Sequence, residues 1–317
     1  MKLKELYKFV VEEGMKEDPR GQSSVKNVLK DNKQALDELK TADKKYFDYE
    51  SLVNPYADSR ILNGSGDEQI KTILLGVDME VGEIVLADRL NAKGKKIDLV
   101  MAHHPEGSAL AGFSKVMEMQ AEIIANLGVN AVKSEKLLEE RIQRVSRGVS
   151  PVNHARAVDA AKLLDMPFMC CHTPADNHVA TYLQKIMDKK KPKYIKDIIK
   201  ILMDIPEYQE ASKMGAGPTI INGSSKNLAG KVFIDMTGGT EGSKEIFKTL
   251  SDAGVGTIIG MHFSEDHLKK AKEEKMNMVV AGHISSDTLG LNLLLDKVEK
   301  KNMIKVECCS GFFRIKR

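Results

Sequence analysis

Four times along the chain a short apolar run stops at a histidine. Ile97, Leu99, Val100, Met101 and Ala102 lead to His103-His104-Pro105, and residues 166–171 lead to His172. Residues 256–261 lead to His262, and residues 276–282 lead to His283. Each run is short, mostly apolar on successive positions and β-prone, the pattern of a central parallel strand buried on both faces. The carboxyl ends of such strands are where open α/β sheets gather their ligands. Pro105 cannot extend a ladder, so the chain must turn there. Five of the eight histidines thus stand at strand ends.

Between these strands the period is helical. Leu6, Phe9, Val10, Val11, Val25, Val28, Leu29, Leu36 and Leu39 recur at helical spacing among charges, so residues 1–69 read as a helical extension. Its turn-rich end, Asn54-Pro55 through Asp67, sets a boundary near residue 70. Residues 70–187 then form a first α/β unit: a strand reaching Asp78, a helix over 81–92, the His103 strand, charged helices over 115–150, a helix over 155–164, and the His172 strand. Met117, Met119, Ile123, Ile124 and Leu127 form a packed core face of the 115–150 segment. Residues 188–215 connect the halves, through Lys189-Lys190-Lys191-Pro192-Lys193 and an apolar helix over 195–203. Residues 216–317 repeat the alternation, with a strand at 231–235, the turn Gly238-Gly239-Thr240-Glu241-Gly242, a helix over 243–250 and a final edge strand at 304–309. The fold class is α/β: two α/β units with mainly parallel sheets covered by helices, plus an N-terminal helical extension. Leu99-Val-Met-Ala-His-His echoes Met278-Val-Val-Ala-Gly-His and hints at related halves.

Composition narrows the class without changing this picture. Hydrophobic residues at 42% and charged residues at 29% exclude a core-poor disordered chain. A net charge of +3 leaves no global footprint for nucleic acid or a membrane surface, and the lysine run near 190 reads as a solvated face. With no apolar stretch of transmembrane length and no signal-peptide core, a cytoplasmic location is expected. The cysteine pairs, Cys170-Cys171 and Cys308-Cys309, lie in strand-like runs and read as small buried hydrophobes.

The candidate chemistry lies beside the strand-end histidines. Asp176 follows His172 by four residues, Asp287 follows His283 by four, and Asp78 ends a neighbouring strand. His103, His104, Asp176, His283 and Asp287 offer imidazoles and carboxylates without thiolates, a set suited to zinc, manganese, iron or cobalt and sufficient for two divalent ions. Two ions roughly 3.5 to 4 Å apart can hold a bridging water as hydroxide near neutral pH, so hydrolysis is the natural reaction class. His103 and His104 can ligate together only if the backbone twists out of the strand between them. The Gly238-Gly239-Thr240 turn could cradle an anion at a helix N-terminus, or be a plain turn. His154, His178 and His267 lie in or beside helices and read as solvated or capping residues.

Taken in order, His103-His104-Pro105, His172-Thr173-Pro-Ala-Asp176, the Gly238 turn and Gly282-His283-Ile-Ser-Ser-Asp287 resemble the Nif-three-like family, also called type 2 GTP cyclohydrolase I. The resemblance covers residues 70–317. It implies a dinuclear metal centre held by His103, His104, Asp176, His283 and Asp287, and a toroidal homo-hexamer. Asp287 stands where the family usually has a glutamate, Pro105-Glu106-Gly107 departs from its more apolar run, and residues 106–150 are expanded. The implied function is a dinuclear metal-dependent hydrolase acting on a nucleotide or purine-like small molecule. His172, His262 and Asp78 are expected as catalytic or ligand-orienting groups. The rival reading is a non-catalytic, metal-binding oligomeric platform or metal chaperone with protein partners.

Overall fold

The computed structural model describes residues 1–317. Two helices open the chain, α1 (Leu3–Lys16) and α2 (Gln22–Glu38), followed by β1 (Arg60–Asn63), β2 (Thr72–Gly76), α3 (Val81–Ala92) and β3 (Leu99–Ala102). Four helices come next, α4 (Gly107–Ala111), α5 (Met119–Ala125), α6 (Ala131–Val149) and α7 (Arg156–Leu163), before β4 (Phe168–Cys170) and α8 (Thr173–Lys190). Then follow α9 (Ile195–Met203), α10 (Pro206–Lys213), β5 (Thr219–Asn222), β6 (Lys231–Asp235), α11 (Ile246–Asp252) and β7 (Val255–Gly260). The chain closes with α12 (Glu265–Glu273), β8 (Asn277–Val280), α13 (His283–Lys301) and β9 (Lys305–Cys308).

The strands form two sheets, ordered β1-β4-β3-β2-β9 and β5-β8-β7-β6. Within them β2, β3 and β4 run parallel, as do β6, β7 and β8, which is the expected α/β architecture. Both faces of the first sheet are covered at its centre, so β2, β3 and β4 are buried along their whole length rather than alternating. Ile73, Leu75, Leu99 and Met101 pack under α1 and α13, while Leu74, Val100 and Phe168 pack under α3 and α7.

Sheet membership crosses the divisions drawn at residues 70 and 216. β1 comes from the turn-rich end of the segment read as a helical extension, and pairs antiparallel with β4. β9, the last strand, returns to pair with β2 at the edge of the first sheet. On that edge Cys308 is exposed and Cys309 half-buried, whereas Cys170 and Cys171 are buried, so only one cysteine pair behaves as core. The inserted helices α5 and α6 belong to the first unit by sequence yet pack on the second sheet, where Ile124 and Leu138 meet Phe233, Phe247 and Ile258.

Two strand systems share one plan. β1-β4-β3-β2 and β5-β8-β7-β6 have the same order and directions, and a register shift interrupts the antiparallel pair in each. Asn63 and Asn222, at the two shifts, each donate a side-chain hydrogen bond to the carbonyl just before the partner strand, at Met166 (2.8 Å) and Met276 (2.6 Å). This plan matches β4 with β8 and β3 with β7. It replaces the sequence echo between the His104 and His283 strands, because identity over a few apolar residues records burial rather than position in a sheet.

Candidate metal centre

β3 ends at Ala102 and the chain leaves the ladder at once. The His103 N–H donates to the Gly76 carbonyl at 3.0 Å, and the His104 N–H to the Val77 carbonyl at 2.9 Å. Both rings therefore project into one space, their centroids 5.4 Å apart. β4 delivers His172 immediately before α8, and β8 delivers His283 as the first residue of α13. One helical turn later each helix presents an aspartate on the same face, Asp176 and Asp287. The two helices approach closely because Gly290 lacks a side chain: a Cβ there would collide with the Ala175 carbonyl oxygen. That contact brings the residue beside Asp176 against the turn that carries Asp287.

The result is a buried cluster of donors. His103 Nε2 lies 3.3 Å from Asp176 Oδ1 and 3.5 Å from Asp287 Oδ1. Asp287 Oδ2 lies 3.5 Å from both His104 Nε2 and His283 Nε2. Three donor sets, His103/Asp176/Asp287, His104/His283/Asp287 and His103/His104/His172, each hold their ligand atoms within 4.8 Å of one another. Yet His103 Nε2, Asp176 Oδ1 and both Asp287 oxygens are buried with no hydrogen-bond partner. Each such atom costs about 1–3 kcal/mol if left unsatisfied. Four converging in one place fit a cation, and their nitrogen and oxygen character fits a divalent transition metal.

The imidazoles are oriented from behind. His103 Nδ1 donates to the Cys171 carbonyl at 3.1 Å, which leaves the Nε2 lone pair directed at the carboxylates. His104 Nδ1 meets Asp78 Oδ1 at 2.6 Å, and His172 Nδ1 meets Asp58 Oδ2 at 2.8 Å. Asp58 is fully buried and held also by Thr173 Oγ1 at 2.6 Å and Ser59 Oγ at 3.2 Å. A carboxylate behind an imidazole is the usual support of a metal-ligating histidine. His172, expected beside the site, thereby joins the residues that could hold an ion.

The titration of the cluster expresses the same surplus of negative charge. Burial disfavours charged His103, but Asp287 and Asp176 outweigh it and hold the imidazole well above its ordinary range. Burial likewise opposes charged Asp287, and His103, His104 and His283 outweigh it, pushing the carboxyl far below the carboxylate range. A proton or a cation must neutralise the cluster, and both act at the same atoms.

The remaining expected residues occupy the rim. His262 is half-exposed, its ring centroid 4.9 Å from that of His283 and its Nδ1 3.5 Å from Glu241 Oε2. A small cleft beside the cluster is lined by His172, Asp176, His262, His283, Gly239, Thr240 and Glu241. Gly238 adopts φ 90° and packs on Gln120, whose Nε2 donates to the Gly238 and Thr240 carbonyls at 2.8 and 2.6 Å. The helix expected from 243 begins only at Ile246, so the glycine turn does not open onto a helix N-terminus. His178 and His267, read as solvated or capping, are instead buried. His267 is hydrogen-bonded at both nitrogens, to Ser264 Oγ and the Gly242 carbonyl. Sequence reasoning missed Asp58 and Glu241. Asp58 lies in a loop whose polar, turn-rich composition signals exposure, and Glu241 carries no pattern of its own.

Among solved structures, the chain is similar to a NIF3 superfamily protein from Sphaerobacter thermophilus, with 27% identity and a TM-score of 0.70 over 80% of this chain and 91% of that one. It is also similar to protein ybgI, at 16% identity and TM-score 0.47 over 85% of this chain and 94% of that one. A third similarity is to reduced HcgD from Methanocaldococcus jannaschii, at 14% identity and TM-score 0.45 over 84% and 96%. No protein-family model and no curated protein matches the chain.

Proposed function

We propose that the chain is a NIF3-like, metal-dependent hydrolase of the type 2 GTP cyclohydrolase I kind, holding two divalent ions and acting on a nucleotide or a related phosphoester. The observation that carries this reading is the way Asp287 divides its carboxylate. Oδ1 faces His103 and the Asp176 side of the cluster, and Oδ2 faces His104 and His283. One carboxylate shared between two donor sets suits a pair of neighbouring ions. Bound there, two ions would supply Lewis acidity and make water a nucleophile near neutral pH.

The chain's own residues do the positioning. Cys171, Asp78 and Asp58 fix the three imidazoles with Nε2 inward, so little reorganisation accompanies loading. The adjoining cleft, of about 40 Å³, admits a reacting group rather than a whole molecule. Across it, His262 and Glu241 can bind the substrate or hold a proton at the rim. A homo-hexameric assembly is part of the same proposal, checked by light scattering of the purified protein.

The test is metal analysis of protein purified without chelator, followed by assay with Mn²⁺, Zn²⁺ or Fe²⁺ against nucleotides and phosphoesters. Two ions per chain with turnover is the expected result. Two ions without turnover of any of these would sink the hydrolase reading and favour a metal-binding platform, and a protein that binds none would sink both.

A further inference from the structure

A larger cavity, of about 570 Å³, is lined by the N-terminal extension together with residues 115–122 of the expanded segment, and shares no residue with the metal cleft. Pockets that take a whole small molecule run to roughly 300–1,000 Å³, so a complete ligand fits here. Val28, Leu39, Phe47, Val116 and Met119 give it apolar surface. Most of its polar groups are spent within the wall. Asn32 donates to the Ser51 carbonyl, Ser51 Oγ to the Asp48 carbonyl and Asn54 to the Ser59 carbonyl, while Arg60 is held by Asp48, Glu50 and two backbone carbonyls. Arg20 is the exception. Its side chain is 5% exposed, and its Nε and Nη2 bond the two oxygens of Asp18 at 3.1 and 2.9 Å. The Tyr56 hydroxyl donates to Asp18 in turn, at 2.8 Å, so the guanidinium is fixed from one edge. Nη1, on the other edge, has no hydrogen bond, and the carboxylate within ion-pair reach of it is Glu122, with Oε1 at 3.8 Å. Both residues line the cavity, so a rigid cationic donor and a half-exposed carboxylate stand side by side there, too far apart to bond each other. Lys115, Asp43 and Glu118 carry the remaining charges of the lining, and all three are exposed.

A simple anion at Nη1 would meet Glu122, and a simple cation at Glu122 would meet the guanidinium. A molecule carrying both charges on neighbouring atoms suits the pair, its carboxylate accepting from Nη1 and its ammonium donating to Glu122. We infer that this cavity binds a free α-amino acid with a large aliphatic side chain, held at its charged end by Arg20 and Glu122 and at its side chain by the apolar wall. The fixed guanidinium lowers the ordering cost of binding. The inference stands apart from the hydrolase reading, because none of its residues belongs to the metal cluster or the cleft.

L-Leucine is the probe, followed through its methyl resonances by proton NMR with full-length, zinc-loaded protein. A Kd of about 1 mM is expected. 4-Methylpentanoate lacks the ammonium and 3-methylbutylamine lacks the carboxylate. Each should bind about tenfold more weakly than leucine, the worth of one hydrogen bond to a charged group. Glu122→Ala should weaken leucine about tenfold and bind 4-methylpentanoate no more weakly than the wild type does. Arg20→Lys, which cannot present Nη1, should weaken leucine and 4-methylpentanoate alike. Melting curves verify that the variants fold, and Glu122→Ala, at a half-exposed position, decides the matter if Arg20→Lys does not. No leucine binding below about 20 mM, or an analogue that binds as tightly as leucine, overturns the site. Unchanged leucine affinity in folded Glu122→Ala overturns it as well, and is the outcome expected if leucine merely chelates the metal ions.

Discussion

His103 and His178 are both buried, both set Nδ1 against a backbone carbonyl, at Cys171 and Pro174, and both leave Nε2 without a hydrogen-bond partner. Their surroundings differ. Asp176 and Asp287 face the free nitrogen of His103, and its affinity for a proton rises. At His178 burial dominates, with Lys297 adding to it against Glu17 and Glu13, and the pKa falls to about 4. An orphaned imidazole is thus a neutral group in one place and a candidate ligand in the other. What separates them is the convergence of negative donors, not the histidine itself.

The contrast can be broken most decisively at Asp287. Asp287→Ala removes the carboxylate shared by the His103/Asp176 and His104/His283 sets, so metal analysis should show loss of both ions, while His178→Phe should keep them. In the wild type, free metal at a thousand times Kd adds about 4 kcal/mol of stability. Chelation should therefore lower the Tm by roughly 8 °C. Asp287→Ala should melt at the same temperature with and without chelator. Retention of metal by Asp287→Ala would erase the distinction.

Next in size is Gly290→Ala, which touches no donor. Its methyl meets the Ala175 carbonyl oxygen, so α13 and α8 must separate, with a destabilisation of about 3 kcal/mol in urea melts and weaker metal binding. Normal metal affinity in this variant would show that the helix approach does not set the cluster's geometry.

At His178 the prediction concerns acid. The folded pKa lies below the ordinary 6.5, so between these values the unfolded chain binds a proton that the folded chain refuses. This contribution to stability is therefore complete above pH 6.5 and declines as pH falls toward 4, by about 2 kcal/mol between pH 7 and pH 5. His178→Phe, compared with the wild type in chelator, should lack that part of the decline. An identical pH profile in the two proteins would show that His178 is not held neutral by burial.

The smallest effect sharpens the assignment of His172. Asp58→Asn keeps the shape of the buried support but removes its charge, and should weaken metal binding about tenfold, read by competition with a chromophoric chelator. No change would return His172 to the rim of the site.

Much of this was legible because period and composition report burial. The strand at 231–235 has the bounds read from its apolar run, and all four histidine-terminated runs contain strands that run parallel to a neighbour. The Met117, Met119 and Ile124 positions are core, as their spacing indicates. Asp58 escaped because its neighbours carry turn chemistry, and only the pairing of β1 with β4 buries that loop behind His172. The helix after the glycine turn starts late because Ser243 to Glu245 are spent on a turn, in which the Ser243 hydroxyl accepts from the Glu245 N–H.

The sequence by itself determined the donor types, the strands that deliver them and the α/β class, since each follows from residue chemistry and local periodicity. Only the tertiary structure decided that the ends of two separate sheets face each other. It also decided that β9 returns to the first sheet and that Asp287 offers one oxygen to each of two donor sets, His103/Asp176 and His104/His283. These features depend on long-range packing, above all the close contact of α8 with α13, and the periodicity of a strand or helix carries no record of which distant element it will meet.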